Sequence, residues 1–419
     1  MSLPTRAVRS RAVGLLGALT AVVATWTVAA PAAQADDMRS RQWYLDAMKA
    51  DELWKVATGR GVTVAVLDNG VDSSMAELRG KVLPGRDFYD DKGKNGLTNG
   101  EDTSPHGTNM ALAIAGTGAN GGVKGIAPDA KILSLKVADA VGSYDLAGYA
   151  SRAIRYAADN GARVINISMG GVEFEEGIPK WQAAVDYALS KNVLIFAASG
   201  NDGEDGLSYP AATPGVVAVG ALDTKGKIAK FSNYGPHLAL AAPGVDAPGR
   251  CSKNKSEYCA FEGTSHASAI ASGAAALIWS AHPDWTANQV LRVMLETAGH
   301  NGPVPSKYIG YGSVRPAQVL LEGKGNPGDP DVNPLLAARA SKPPAPSASQ
   351  TSPSPDNNTG ASGTSPTTDP GTPAKTGSAT GSEESGLPLW AVAASAVAVV
   401  AVLGAVVTVV VRRRASTDA

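Results

Sequence analysis

Apolar residues fall into two kinds of run along this 419-residue chain. The first kind is short and β-branched. Val62-Thr63-Val64-Ala65-Val66-Leu67 shows no polar alternation beyond Thr63, the pattern of a strand buried on both faces. Comparable runs begin near Ile132, Val164, Val193 and Val216, and helical stretches follow His106, Asp145 and Pro179. Strands alternating with helices predict an α/β fold, a parallel sheet flanked by helices on both faces. One more helix, over residues 265–278, is apolar nearly all round and is therefore predicted to be central.

The second kind of run is long and lies at the ends. Arg6, Arg9 and Arg11 precede an apolar run over 12–30, and Ala33-Gln34-Ala35 supplies a small-residue cleavage site, so residues 1–35 read as an export signal. Residues 387–411 carry no charge and, at about 1.5 Å per residue, suffice to cross a bilayer. Arg412-Arg413-Arg414 then places the tail, 412–419, in the cytoplasm. Residues 323–386 are dominated by Pro, Ser, Thr, Gly and Ala, and predict a disordered spacer whose coil-like ends would lie on the order of 45 Å apart. What remains is a short extension, 36–60, containing Trp43, Tyr44, Leu45 and Trp54, and one compact domain, 61–322. The expectation is an exported domain on a single-pass membrane tether.

Composition narrows the function. Net charge is −1 with no basic stripe, which argues against nucleic acid as a partner. No GxxxxGK[ST] or GxGxxG loop is present, which weakens a nucleotide-binding reading of the same fold. Cys251 and Cys259 are the two cysteines. In an exported domain a local pair is most simply a disulfide; two free thiols are the alternative. No C-x-x-C and no metal-ligand cluster occurs.

Three polar residues interrupt the apolar pattern where it ends. Asp68 follows the first strand, at the edge where open parallel sheets place ligands. His106 opens the small-residue helix after Ser104-Pro105, and the chain has only five His. Ser265 begins the central helix after Gly263-Thr264. Taken singly they read as a turn Asp, a surface His and an N-cap Ser. Together they supply what acyl transfer needs: a hydroxyl, an imidazole to take its proton, and a carboxylate to orient the imidazole. Helix N-terminal N–H groups beside Ser265 would face the developing oxyanion, and Asn201, on the turn Ser199-Gly200-Asn201-Asp202-Gly203, offers an amide donor for it.

The chain order Asp, His, Ser and the blocks VLDNGVD, PHGTNMA and EGTSHASA resemble the subtilisin-like serine proteases, or subtilases. Gly125-Ile126-Ala127-Pro128, Val164-Ile165-Asn166-Ile167-Ser168-Met169-Gly170 and Ala242-Pro243-Gly244 extend the resemblance over roughly residues 42–322. It implies a catalytic triad of Asp68, His106 and Ser265, an oxyanion donor at Asn201, and an extended peptide held between Gly142-Ser143-Tyr144 and Ser168-Met169-Gly170. It implies no cofactor for catalysis; the family often carries structural calcium, yet no acidic loop marks a site here. Three positions depart from the family pattern: Asn69 for Thr or Ser, His266 for an apolar residue, and Ala269 for Pro.

Signal, short extension, compact protease and C-terminal anchor together resemble the mycosins, membrane-anchored subtilases of type VII secretion. That resemblance implies secreted protein substrates and membrane partners in a secretion complex. Its alternative is a structural component of such a complex whose proteolysis is dispensable.

Overall fold

The computed structural model describes residues 38–90, 95–98, 104–139, 143–173, 175–251 and 257–341. The export signal (1–35), residues 342–386 of the spacer, the apolar stretch 387–411, the tail 412–419 and Gly142 lie outside the described residues. Among the described residues, no helix is long and apolar enough to cross a membrane.

Seven strands form one parallel sheet: β1 (Thr63–Asp68), β2 (Val82–Asp87), β3 (Lys131–Lys136), β4 (Val164–Ile167), β5 (Leu194–Ala198), β6 (Val217–Leu222) and β7 (Leu238–Pro243). Their order is β2-β3-β1-β4-β5-β6-β7. The chain enters at β1, fills one side and then crosses to the other, so the sheet's switch point flanks β1. That is where open α/β sheets leave a crevice beyond the strand ends. Asp68 is the last residue of β1.

The helices in chain order are α1 (Trp43–Ala47), α2 (Ala50–Leu53), α3 (His106–Ala115), α4 (Leu146–Asp159), α5 (Ile178–Ser190), α6 (Thr264–Ala281), α7 (Ala287–Glu296), α8 (Pro316–Leu320) and α9 (Pro334–Ala340). Strand residues alternate between two cores. Val64 and Val66 face the layer of α3 and α6, while Ala65 and Leu67 face α4 and α5. Asp68 shares the parity of Val64 and Val66, which points its carboxylate to the α3 and α6 side. The all-round apolarity of α6 is explained by its place: it packs against β4, β5, β6 and β7, with Ile270, Leu277, Ile278 and Trp279 buried.

Two boundaries differ from the sequence expectation. The extension over residues 38–60 is part of the main core, with Tyr44, Leu45 and Leu53 buried. Buried Gln42 both accepts from Lys124 N–H (3.0 Å) and donates to its carbonyl (2.7 Å). Trp43 and Trp54 donate their indole N–H groups to the carbonyls of Val245 and Ile126, both at 2.9 Å. A short segment with five large apolar side chains, Trp43, Tyr44, Leu45, Leu53 and Trp54, has enough surface to dock, even without regular periodicity.

At the other end, the expected spacer does not begin at residue 323. Residues 323–341 continue along α7: Asn288 Nδ2 donates to the Pro330 carbonyl (2.9 Å) and Gln289 Nε2 to that of Gly328 (3.1 Å). Asn333 then caps α9, its side chain accepting from the N–H groups of Leu335 and Leu336. Composition averaged over the whole spacer hid this Asn-Pro helix start.

Candidate active site

The four residues singled out by sequence arrive on four different elements: Asp68 ending β1, His106 opening α3, Asn201 in the turn after β5, and Ser265 in the first turn of α6. Asp68 is fully buried. Its carboxylate accepts from the Asn69 N–H (2.8 Å) and meets His106 Nδ1 through both oxygens, at 2.8 and 2.9 Å. Nδ1 therefore carries the proton, and Nε2 keeps the free lone pair. The His106 side chain is 37% exposed, so one edge of the ring reaches the cleft. Burial pushes its pKa down, but the charge of Asp68 and the hydrogen bond to it outweigh burial, and the pKa is raised above 6.5.

Asn69 explains how α3 comes so close. Pro105 precedes the helix and offers no side-chain cap. Instead Asn69 Oδ1 accepts from Gly107 N–H (2.9 Å) and Asn69 Nδ2 donates to the Ser104 carbonyl (3.0 Å). Gly107 is required by that approach, because a Cβ there would lie 2.3 Å from the Gly70 carbonyl oxygen and 2.9 Å from Asp68 Cβ. The Asn69 backbone N–H supports the carboxylate, while its side chain supports the helix bearing the imidazole.

The Ser265 hydroxyl donates to the Ser168 carbonyl (2.9 Å) rather than to His106. Ser168 Oγ in turn donates to the Ser265 carbonyl (3.0 Å) and accepts from Asn166 Nδ2 (2.9 Å). Asn166, fully buried, also accepts from Ser268 (2.9 Å) and Ser272 (3.2 Å) of α6. Every polar group of this network has a partner, which makes it a rigid tie between β4 and the helix that carries Ser265. Ser168 was expected only as part of the substrate strand, and Asn166, Ser268 and Ser272 carry no expected role, although Asn and Ser inside apolar runs are the available signal.

Asn201 is oriented by Thr264. Its Oδ1 accepts from the Thr264 N–H and hydroxyl, both at 2.9 Å. A main-chain N–H can only donate, so this atom is the oxygen, and Nδ2 is the donor of an exposed side chain. An amide donor thus stands beside the Ser265 helix end, as an oxyanion site demands.

The residues expected to hold substrate are less uniformly placed. Ser168 adjoins Ser265, Gly170 is a bare exposed edge, and Met169 packs into the α4 and α5 core. Ser143 and Tyr144 precede Asp145, the N-cap of α4, and the Tyr144 ring is fully exposed. Cys251 and Cys259 are disulfide-bonded, with Cα atoms 5.2 Å apart. Among the described residues, no group of three or more His, Cys, Asp or Glu could hold a metal.

A sequence model of the Subtilase family matches residues 59–312, more than half of the chain. The chain belongs to the subtilase family. This subtilase is 38% identical to subtilisin E of Bacillus subtilis over 262 residues, 61% of this chain and 65% of the relative. It is 37% identical to the thermostable alkaline protease of Halalkalibacterium halodurans over 250 residues, 60% of this chain and 65% of the relative. It thus spans just under two thirds of each. Among solved structures, MycP1 with its N-terminal propeptide removed superimposes with a TM-score of 0.61 at 30% identity, covering 69% of this chain and 99% of that one. MycP1 from Mycobacterium smegmatis gives 0.60 at 29% identity, covering 69% and 86%.

In this subtilase the odd residue beside Ser265, His266, is buried and faces the Phe261 ring, centroids 6.2 Å apart. Burial, aided by the nearby charge of His106, pushes its pKa down to about 3. It is therefore neutral at any pH at which His106 is neutral. Ala269 lies in the middle of α6, and nothing in the structure explains why it replaces Pro.

The sign of the His106 shift sets the pH response. With His106 as the base that takes the serine proton, imidazolium could not accept it, and activity would be lost as pH falls through the raised pKa. The acid limb of kcat/KM should lie above pH 6.5, the ordinary His value. A rate that stays level from about pH 5 to 9 would remove His106 as the base.

Proposed function

We propose that this protein is a serine endopeptidase acting outside the cytoplasm, tethered to the membrane by residues 387–411. The observation that carries the reading is the two-oxygen pairing of buried Asp68 with His106 Nδ1, with Ser265 in the first turn of α6. Substrate docks as an extended strand along Ser168-Met169-Gly170, opposite Gly142-Ser143-Tyr144. The Ser265 hydroxyl leaves the Ser168 carbonyl, passes its proton to His106 Nε2, and attacks the scissile carbonyl. The new C–O bond puts negative charge on the carbonyl oxygen, which Asn201 Nδ2 and the α6 N-terminus stabilise. His106 then gives its proton to the leaving amine, and water hydrolyses the acyl-enzyme by the same steps. No cofactor takes part.

The likeness to MycP1 structures supports a narrower reading, in which the substrates are secreted proteins of a type VII pathway and the neighbours are its membrane components. One solved relative, 32% identical, is described as a serine protease and an essential component of the type VII (ESX-1) secretion system. A structural role within such a complex is the second reading, favoured by the Ser265 hydroxyl being held by Ser168.

The full chain should react with a fluorophosphonate probe at Ser265, and Ser265→Ala should abolish labelling. Folded wild-type protein that takes no label would favour the structural role. So would normal secretion in cells carrying Ser265→Ala but not in cells lacking the chain.

A further inference from the structure

Between β7 and α6 the chain forms an antiparallel hairpin, β8 (Ala247–Arg250) and β9 (Tyr258–Phe261), closed by the Cys251–Cys259 disulfide. The hairpin grips the helix that begins with His106. Asn109, one helical turn along α3, accepts from Arg250 N–H at Oδ1 (2.7 Å) and donates from Nδ2 to the Arg250 carbonyl (3.1 Å). This is the two-bond pairing of a neighbouring strand, made by a side chain. Asn109 is 3% exposed, and at Gly249 a Cβ would come 2.8 Å from its Cγ, so the contact is close and dry.

Charge holds the same residue from the other side. The Arg250 guanidinium meets both oxygens of fully buried Glu77, at 2.8 and 2.9 Å, and lies 4.1 Å from the Tyr258 ring centroid. The Tyr258 hydroxyl donates to that carboxylate. From Tyr258, β9 runs to Phe261, whose ring faces His266, the neighbour of Ser265. One hairpin therefore touches α3 three residues after His106 and α6 one residue after Ser265.

We infer that Asn109 is a positioning residue for His106, the hairpin acting as a clasp that sets the distance between the base and the nucleophile. The inference rests on the protease reading above. Proton transfer needs His106 Nε2 within hydrogen-bond reach of the turned Ser265 hydroxyl, and an error of about 1 Å can cost 100-fold in rate. Asn69 fixes only the first turn of α3; Asn109 fixes its next turn to the hairpin. The substrate strand after β4 is not part of the clasp, so binding is spared.

In the full chain, Asn109→Ala should lower kcat for a peptide substrate by about tenfold to 100-fold, with KM within about twofold of wild type. The rate of fluorophosphonate labelling should fall by the same factor. Adding Glu77→Gln should cost less than the product of the two single effects, because both act through Arg250. Cys251→Ser with Cys259→Ser opens the clasp without touching α3, and should show a smaller loss, again confined to kcat. An Asn109→Ala enzyme that folds with unchanged kcat, or that loses only KM, overturns the inference. If Asn109→Ala does not fold, unchanged kcat in the cysteine variant does so. Wild type that neither hydrolyses peptide nor takes label overturns the protease reading itself, and the clasp with it.

Discussion

His106→Ala is expected to lower kcat by about 10⁶-fold, the scale seen when a subtilisin triad loses its base, and adding Ser265→Ala should lower it no further. A serine hydroxyl is almost fully protonated at neutral pH, so its nucleophilicity depends on the imidazole. Once the imidazole is gone, the hydroxyl has nothing to give its proton to, and removing it changes little. Asp68→Asn should cost less, about 10⁴-fold, since it disturbs the tautomer that the two-oxygen contact with Nδ1 enforces. Steady-state hydrolysis of a chromogenic peptide by the purified full-length variants would measure all of these. Single effects that multiply in the double variant would mean that His106 and Ser265 do not act as one unit.

The largest stability effect is expected from Arg250→Ala. Glu77 is fully buried, and its carboxylate is matched by the Arg250 guanidinium and the Tyr258 hydroxyl. Removing the guanidinium strands a charge in a site that water does not reach. The expected loss is about 3–5 kcal/mol in unfolding free energy, read from denaturant midpoints under non-reducing conditions. Replacing both partners, Glu77→Gln with Arg250→Met, should recover much of it, because no unpaired charge is then left behind. A loss below about 1 kcal/mol for Arg250→Ala would show that the pair behaves like a surface ion pair.

Much of this site could be read from the chain because its parts are local. Asp68, His106 and Ser265 each sit where an apolar run changes to a turn, and that change is visible within a few residues. The supports were harder to see. Asn69 bonds to Gly107 and Ser104, Thr264 to Asn201, and Asn166 to Ser268 and Ser272, partners separated by about 35 to 106 positions. Nothing in the neighbourhood of Asn69 says which helix it will cap. The strand β7, Leu-Ala-Leu-Ala-Ala-Pro, was similarly weak in pattern, since alanine marks neither strand nor helix until the layers on both sides are present.

By itself, then, the sequence determined the alternation of strands and helices, the burial of the sheet, and which hydroxyl, imidazole and carboxylate end those elements. These follow from periodicity and from polar residues placed where the apolar pattern stops, both short-range properties of the chain. Tertiary structure decided which elements adjoin. It made residues 38–60 part of the core, laid residues 328–330 along α7, turned the Ser265 hydroxyl to Ser168, and set Arg250 between Glu77 and Asn109. Hydrogen bonds and buried charges are satisfied by whatever the fold brings within about 3 Å, and distance along the chain does not foretell that.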